Sequence, residues 1–199
     1  MDYFFYCRAR PDMEALADER TEAHWAFMDQ YAATMIARGP TLSDDGTEWT
    51  GSMHIVGLPD AAAALVFAFE EPYYRAGVFA EVFMRRWRNE LGRTMWQFQD
   101  DPDRHQRFLI IGHGNPDASI QLDSLPSRQR FFDDHRSQTI VCGSLLSDDG
   151  ATWVGGTMLA EVPNHAAVET LAERDPFTQA GLYQSVEIHH WRFGGRPSV

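Results

Sequence analysis

A chain of 199 residues has room for one large domain or two small ones. Its 44% apolar and 23% charged residues are those of an ordinary globular protein and exclude a fibrous or disordered class. A formal net charge of -12 argues against a nucleic-acid partner, which needs a concentrated Lys/Arg surface, and against anionic membranes.

The opening MDYFFYCRARPD has neither the basic start nor the small-residue cleavage site of a signal peptide, so a cytoplasmic location is expected. Tyr3–Ala9, rich in aromatics, reads as a strand. A long helix is predicted over Met13–Arg38, with Phe27, Met28, Tyr31 and Met35 at the spacing of one buried stripe. Gly39-Pro40 is expected to stop it, glycine as left-handed cap and proline as breaker, with a short strand near Gly39–Ser43. A turn through Ser43-Asp44-Asp45-Gly46 leads to a strand around Trp49–Leu58. The second helix opens at Pro59-Asp60, with Asp60 as N-cap, and runs to about Glu70. Its apolar run, Ala61–Phe69, is far short of the roughly 20 residues that span a bilayer. After Glu71-Pro72 a final strand covers Val78–Trp87.

The same order then returns. Leu146-Ser-Asp-Asp-Gly150 stands 104 residues after Leu42-Ser-Asp-Asp-Gly46. That offset also pairs Gly39 with Gly143, Trp49 with Trp153, Gly51 with Gly155, Pro72 with Pro176 and Trp87 with Trp191. Glycines, prolines and tryptophans in one register establish an internal duplication. Repeats are expected at 1–95 and 106–199, with first and last strands of the second at Arg107–His113 and Leu182–Trp191. A polar linker, 96–105, joins them. Each repeat reads as a split βαβ, ferredoxin-like unit, an α+β fold whose sheet leaves one face bare. Two copies packed sheet to sheet as a pseudo-two-fold barrel would cover both faces, giving an internal pair and leaving a further homodimer open.

These residues resemble the YCII-related family, small ferredoxin-like proteins that usually pair as dimeric α+β barrels. The resemblance spans nearly the whole chain. It is carried by the histidine of Arg20-Thr-Glu-Ala-His24, Gly39-Pro40, the Asp-Gly turns, Gly51-Ser52, and Asp175-Pro-Phe-x-x-Ala-Gly-Leu-Tyr183. It implies a helix histidine working with carboxylates in a pocket between sheet and helices. One branch resembles a dehydrochlorinase of chlorinated hydroxyquinols, an elimination driven by acid/base groups. Carried over by position, the site is asymmetric. The first repeat keeps His24 but has Glu71 where the family has Asp, while the second keeps Asp175 but has Arg128 at the histidine position and Gly155-Gly156 at Gly51-Ser52.

An imidazole titrates near neutral pH and can take and return a proton, and a carboxylate on its other nitrogen fixes the tautomer. The candidate catalytic residues are therefore His24 with Glu71, or with one of Asp44 and Asp45. Candidate ligand contacts are Arg20, one turn before His24, with Ser52, Trp25 and Phe27. Arg128 facing Asp175 would make an ionic lock, since arginine stays protonated and cannot act as a base. Each of these also has a bland reading: a hydrogen-bonded structural histidine, or a carboxylate that caps the turn before a proline.

No metal or cofactor is expected. Consecutive His189 and His190 point to opposite faces of a strand, and their counterparts are Arg85 and Arg86. Cys7 and Cys142 fall at non-equivalent places with no CxxC spacing and read as buried thiols. Nucleotide-binding and nucleophile-elbow glycine motifs are absent. The family reaction is unassigned. A small-molecule enzyme of lyase or isomerase type stands beside a non-catalytic binding or regulatory module and, by fold analogy, a cofactor-free monooxygenase.

Overall fold

The computed structural model describes residues 1–99, 101, 103–117 and 126–196. In the first repeat, β1 (Asp2–Ala9), α1 (Glu14–Asp29), β2 (Met35–Leu42), β3 (Trp49–Gly57), α2 (Ala61–Phe69), the one-turn α3 (Pro72–Arg75) and β4 (Phe79–Asn89) follow one another. The second runs through β5 (Gln106–Gly114), α4 (Pro126–Asp134), β6 (Thr139–Leu146), β7 (Trp153–Val162), α5 (His165–Arg174), α6 (Pro176–Gln179) and β8 (Tyr183–Trp191). The repeat is thus βαββαβ with an added turn of helix, and all paired strands run antiparallel. The fold is α+β, with eight strands of antiparallel sheet, as the duplication predicts.

The chain divides into two compact units that do not coincide with the repeats. Met1–Arg85 forms one together with the segment that opens at Trp191, and Arg86–His190 forms the other. In the first unit β3 lies between β1 and β2, and the segment after β8 continues the sheet beyond β2: Arg192 N–H donates to the Pro40 carbonyl (3.2 Å) and Gly194 N–H to that of Arg38 (3.0 Å). Its core gathers Tyr3, Phe5, Met28, Met35, Val56 and Phe67. In the second unit the order is β8-β5-β7-β6, with Arg86–Asn89 of β4 paired to β6. Phe108, Ile110, Phe132, Val168 and Leu171 fill that core.

The first helix is much shorter than predicted. It ends at Asp29, and a turn at Ala32–Thr34 leads directly into β2. The apolar stripe misled because Met28 and Met35 are both buried in one cluster, with Phe27 and Tyr31 against it, although Met35 already opens a strand. Gly39-Pro40 is therefore not a helix stop. A side chain on Gly39 would lie 1.9 Å from the Arg192 carbonyl oxygen and 2.7 Å from the Trp191 indole nitrogen. Gly143 meets Trp87 and Arg88 in the same way. These glycines let a tryptophan-bearing strand end approach the sheet backbone. The Ser-Asp-Asp-Gly turns, by contrast, are as expected, with positive φ at Gly46 (73°) and Gly150 (77°). Asp60 caps α2, accepting from Ala63 N–H at 2.8 Å.

Gly39→Ala should therefore cost about 3 kcal/mol in urea unfolding, because the added methyl overlaps fixed backbone and an indole ring. Wild-type stability in that variant would contradict the close approach.

Candidate functional site

His24 lies on the face of α1 that also carries Ala17, Thr21 and Met28, spaced by three or four residues, and it is buried. Its partner comes from 47 residues further on. Glu71 is the N-cap of α3: Oε1 accepts from Tyr73 N–H (3.0 Å) and Oε2 from Tyr74 N–H (2.9 Å). The same Oε1 stands 2.6 Å from His24 Nδ1. A carboxylate oxygen accepts, so Nδ1 carries the proton and donates. Nε2 keeps its lone pair, and no protein partner takes it among the described residues. The predicted capping role of Glu71 and its predicted role beside His24 are held by one carboxylate.

Aromatic contacts set the plane of the imidazole. Tyr73 stacks on it at 4.3 Å with an interplanar angle of 3°. The Tyr73 hydroxyl bonds Thr21 Oγ1 at 3.0 Å; because that hydroxyl donates to the Ala17 carbonyl, Tyr73 is the donor. Burial holds the Tyr73 phenol above its ordinary pKa. The His54 ring stands 5.7 Å from that of His24 at 61°.

A cavity of about 600 Å³ opens beside His24. Ser52 and His54, two apart on β3, border it from one face of the strand, opposite Pro40 and Arg38 of β2, which also line it. Trp25, Trp49 and Tyr73 supply aromatic wall, and Arg192–Gly195 form another side. His54 is 3% exposed, and its Nδ1 has no hydrogen-bond partner among the described residues. Burial, then the nearby His24 and Arg38, hold it well below the ordinary imidazole pKa, so His54 is neutral.

Several predicted residues lie elsewhere. Arg20 is exposed and does not line the cavity. Phe27 packs on Tyr31 and Phe67 in the core. Asp44 and Asp45 are exposed and outside the cavity. Asp45 instead ties its own turn, accepting from Ser43 Oγ (2.6 Å) and from Thr47 Oγ1 (2.7 Å) and N–H (3.1 Å), bonds that lower its pKa to about 2. The sequence reading missed Tyr73, His54, Arg38, Trp49 and Arg192. Period-two spacing from Ser52 could have found His54, but the overlong helix concealed Arg38.

The equivalent place in the second unit is filled. Arg128 is buried, with Nη2 donating to the Tyr183 hydroxyl (3.1 Å) and Nη1 to Ser144 Oγ (3.4 Å). Its guanidinium stands 3.9 Å from Asp175 and 3.5 Å from Glu90, and lies 4.0 Å from the centre of the Phe177 ring. Burial alone would lower its pKa, but Tyr183, Glu90 and Asp175 together raise it. About 10 Å³ of space remains, too little for a ligand. Asp175 caps α6 as Glu71 caps α3, accepting from Phe177 N–H at 2.9 Å. Gly156 is part of the arrangement: a Cβ there would meet Arg128 Nη2 at 2.5 Å and the Tyr183 hydroxyl at 2.7 Å. The histidine-to-arginine and serine-to-glycine differences between the repeats are thus one steric change. Among the described residues, no group of three or more His, Cys, Asp or Glu is arranged to hold a metal, and no helix is long and apolar enough to cross a membrane.

Two outcomes follow. Gly156→Ser should destabilise the protein by about 1–3 kcal/mol through overpacking against Arg128, and Gly156→Ser with Arg128→His should recover part of that loss. Full stability in the single variant would refute the steric coupling. His54 gives a pH signature. Its lowered pKa means that below the ordinary value of 6.5 the unfolded chain takes a proton that the folded chain refuses, so stability falls with falling pH. The loss is up to about 1.4 kcal/mol per pH unit. His54→Met, which installs the residue of the second repeat (Met158), should remove this component in urea unfolding at pH 7.5 and pH 5. Parallel pH slopes for wild type and variant would exclude it.

The profile of the YCII-related domain matches residues 1–88 and again 86–192. Among solved structures, a 5-chloro-2-hydroxyhydroquinone dehydrochlorinase from Burkholderia phenoliruptrix, in complex with 2,5-dihydroxybenzoquinone, is 27% identical, with 44% of this chain and 94% of that one covered and a TM-score of 0.41. A monooxygenase-like protein from Fusobacterium nucleatum is 8% identical over 96% of this chain and 91% of its own, at a TM-score of 0.57. A mutant chlorite dismutase from Candidatus Nitrospira defluvii, in complex with cyanide, is 8% identical over 96% and 90%, at 0.54. The likeness of these last two is one of fold alone, that of dimeric α+β barrel proteins. No curated protein matches the sequence. With two profile matches in tandem over nearly its whole length, the chain belongs to the YCII-related family and carries two YCII-related domains.

Proposed function

We propose that the first unit is a small-molecule site in which His24, oriented by Glu71, moves a proton, in chemistry of the lyase or isomerase type. One observation carries this reading: the 2.6 Å bond from His24 Nδ1 to a buried, doubly capped carboxylate leaves Nε2 as a base at the edge of a cavity of about 600 Å³. A substrate C–H or O–H proton passes to Nε2. The imidazolium that forms is stabilised by the Glu71 carboxylate and held in plane by Tyr73. Returning the proton to a leaving group completes an elimination; returning it to another atom of the substrate completes an isomerisation. Ser52 and neutral His54 offer hydrogen bonds to substrate oxygens, and Trp25 and Trp49 suit a flat apolar body. Among the described residues the second unit has no base at the equivalent position, where Arg128 stands instead.

The test begins with a thermal-shift screen of small organic acids and phenols, followed by product detection for each compound that binds. His24→Ala should lower turnover by about 10²–10⁴-fold while affinity changes little. Glu71 retains both backbone donors in that variant, so the fold should persist. Arg128→Lys should leave turnover unchanged. Undiminished turnover in His24→Ala refutes the proposal, and tight binding with no turnover of any bound compound replaces it with a binding module.

A further inference from the structure

The two repeats differ most sharply on a surface away from the cavity. Helix α2 buries Ala64, Phe67 and Ala68, and α5 buries the aligned Val168, Leu171 and Ala172. The opposite, exposed stripe of α2 is also apolar: Ala61, Ala62, Leu65, Val66 and Phe69. Leu65 is 48% exposed, Val66 50% and Phe69 38%, and Tyr74, 38% exposed, extends the patch by packing on Phe69 at 4.8 Å. At the same register α5 and α6 carry Glu169, Thr170, Glu173 and Thr178. A solvated helix needs one apolar stripe, as α5 has; α2 has two. Four large apolar side chains at aligned positions where the other copy has four polar ones form a patch, not scattered exposure.

We infer that this face of α2 is the contact between two copies of the chain, formed by antiparallel packing of α2 on α2 about a two-fold axis. The stripe is graded in size, with alanines at its N-terminal end and Phe69 and Tyr74 at its C-terminal end. Antiparallel self-pairing sets the bulky end of each helix over the small end of the other, so the face complements itself. Leu65 and Val66 fall at the centre, where they meet their own counterparts. The rim is charged: the arrangement brings the pair of Arg75 and Glu70 (2.8 Å), both exposed, toward Asp60 at the start of the other α2, where the guanidinium keeps further N–H donors. The stripe itself is uncharged, as association of a chain with a net charge of -12 requires. A nine-residue helix and one tyrosine are less than the roughly 800 Å² per partner of a permanent interface, so the dimer forms with concentration and is strengthened by salt. This inference does not depend on the chemistry proposed for His24.

Sedimentation velocity of the full chain over micromolar to submillimolar concentrations should show monomer passing to dimer, more readily at 0.3 M than at 0.03 M NaCl. Leu65→Glu with Val66→Thr, the residues of the second repeat, should stay monomeric with an unchanged melting temperature. Val66→Cys should form a disulfide-linked dimer under mild oxidation, since Cys7 and Cys142 are buried and do not compete. A wild-type chain that is monomeric throughout overturns the inference. So does dimerisation that survives the double substitution, or a monomer that instead binds phosphatidylglycerol vesicles through this face.

Discussion

The first site depends on one carboxylate doing two things at once. Glu71 ends the loop after α2 by capping α3, and the same oxygen that takes the Tyr73 amide holds the imidazole of His24. Capping fixes where the oxygen stands, because two backbone donors leave the carboxylate little freedom. The imidazole is then fixed in tautomer by the oxygen and in plane by Tyr73, whose own position follows from the helix that Glu71 starts. A helix cap, an aromatic stack and a histidine–carboxylate hydrogen bond are thus one local structure. Glutamate reaches His24 while it caps, so the departure from the aspartate of the family pattern leaves the pairing intact.

The second unit shows what happens when the same frame loses its imidazole. Asp175 still caps its short helix, but the cavity is gone. A buried guanidinium must be surrounded by compensating groups, and Glu90, Asp175, Tyr183 and Ser144 converge on it. Packing constraint and charge constraint act together: Gly156 makes room, and Glu90, at the position of Gly194 in the other copy, supplies the extra negative charge.

What was legible in the sequence followed from local rules and from the 104-residue offset. Strands, the Asp60 cap and the left-handed glycines of the turns follow from spacing and position, while the family resemblance pointed to His24 with a carboxylate and left Glu71, Asp44 and Asp45 open as its partner. The end of α1 was not legible, because residues 28 and 35 bury into one cluster whether the chain between them is helix or turn. Arg20 was placed in the pocket by helical proximity to His24, yet that face of the helix meets solvent. Asp44 and Asp45 attract attention as paired carboxylates, but short turns use such residues to satisfy their own hydroxyls and amides. The wall formed by Arg192–Gly195 left no sequence signal, since aligning the repeats treats each as closed on itself.

That wall has a consequence for how the protein is made. The cavity belongs to a unit that contains residues 1–85 and the segment opening at Trp191, so the whole of Arg86–His190 leaves the ribosome between its two parts. His24 and Glu71 can meet early, but the pocket they serve has an open side until residue 195 emerges. Cutting the gene at the repeat boundary would therefore not release a half with its cavity closed: the duplicated unit of sequence is not the unit that lines the cavity.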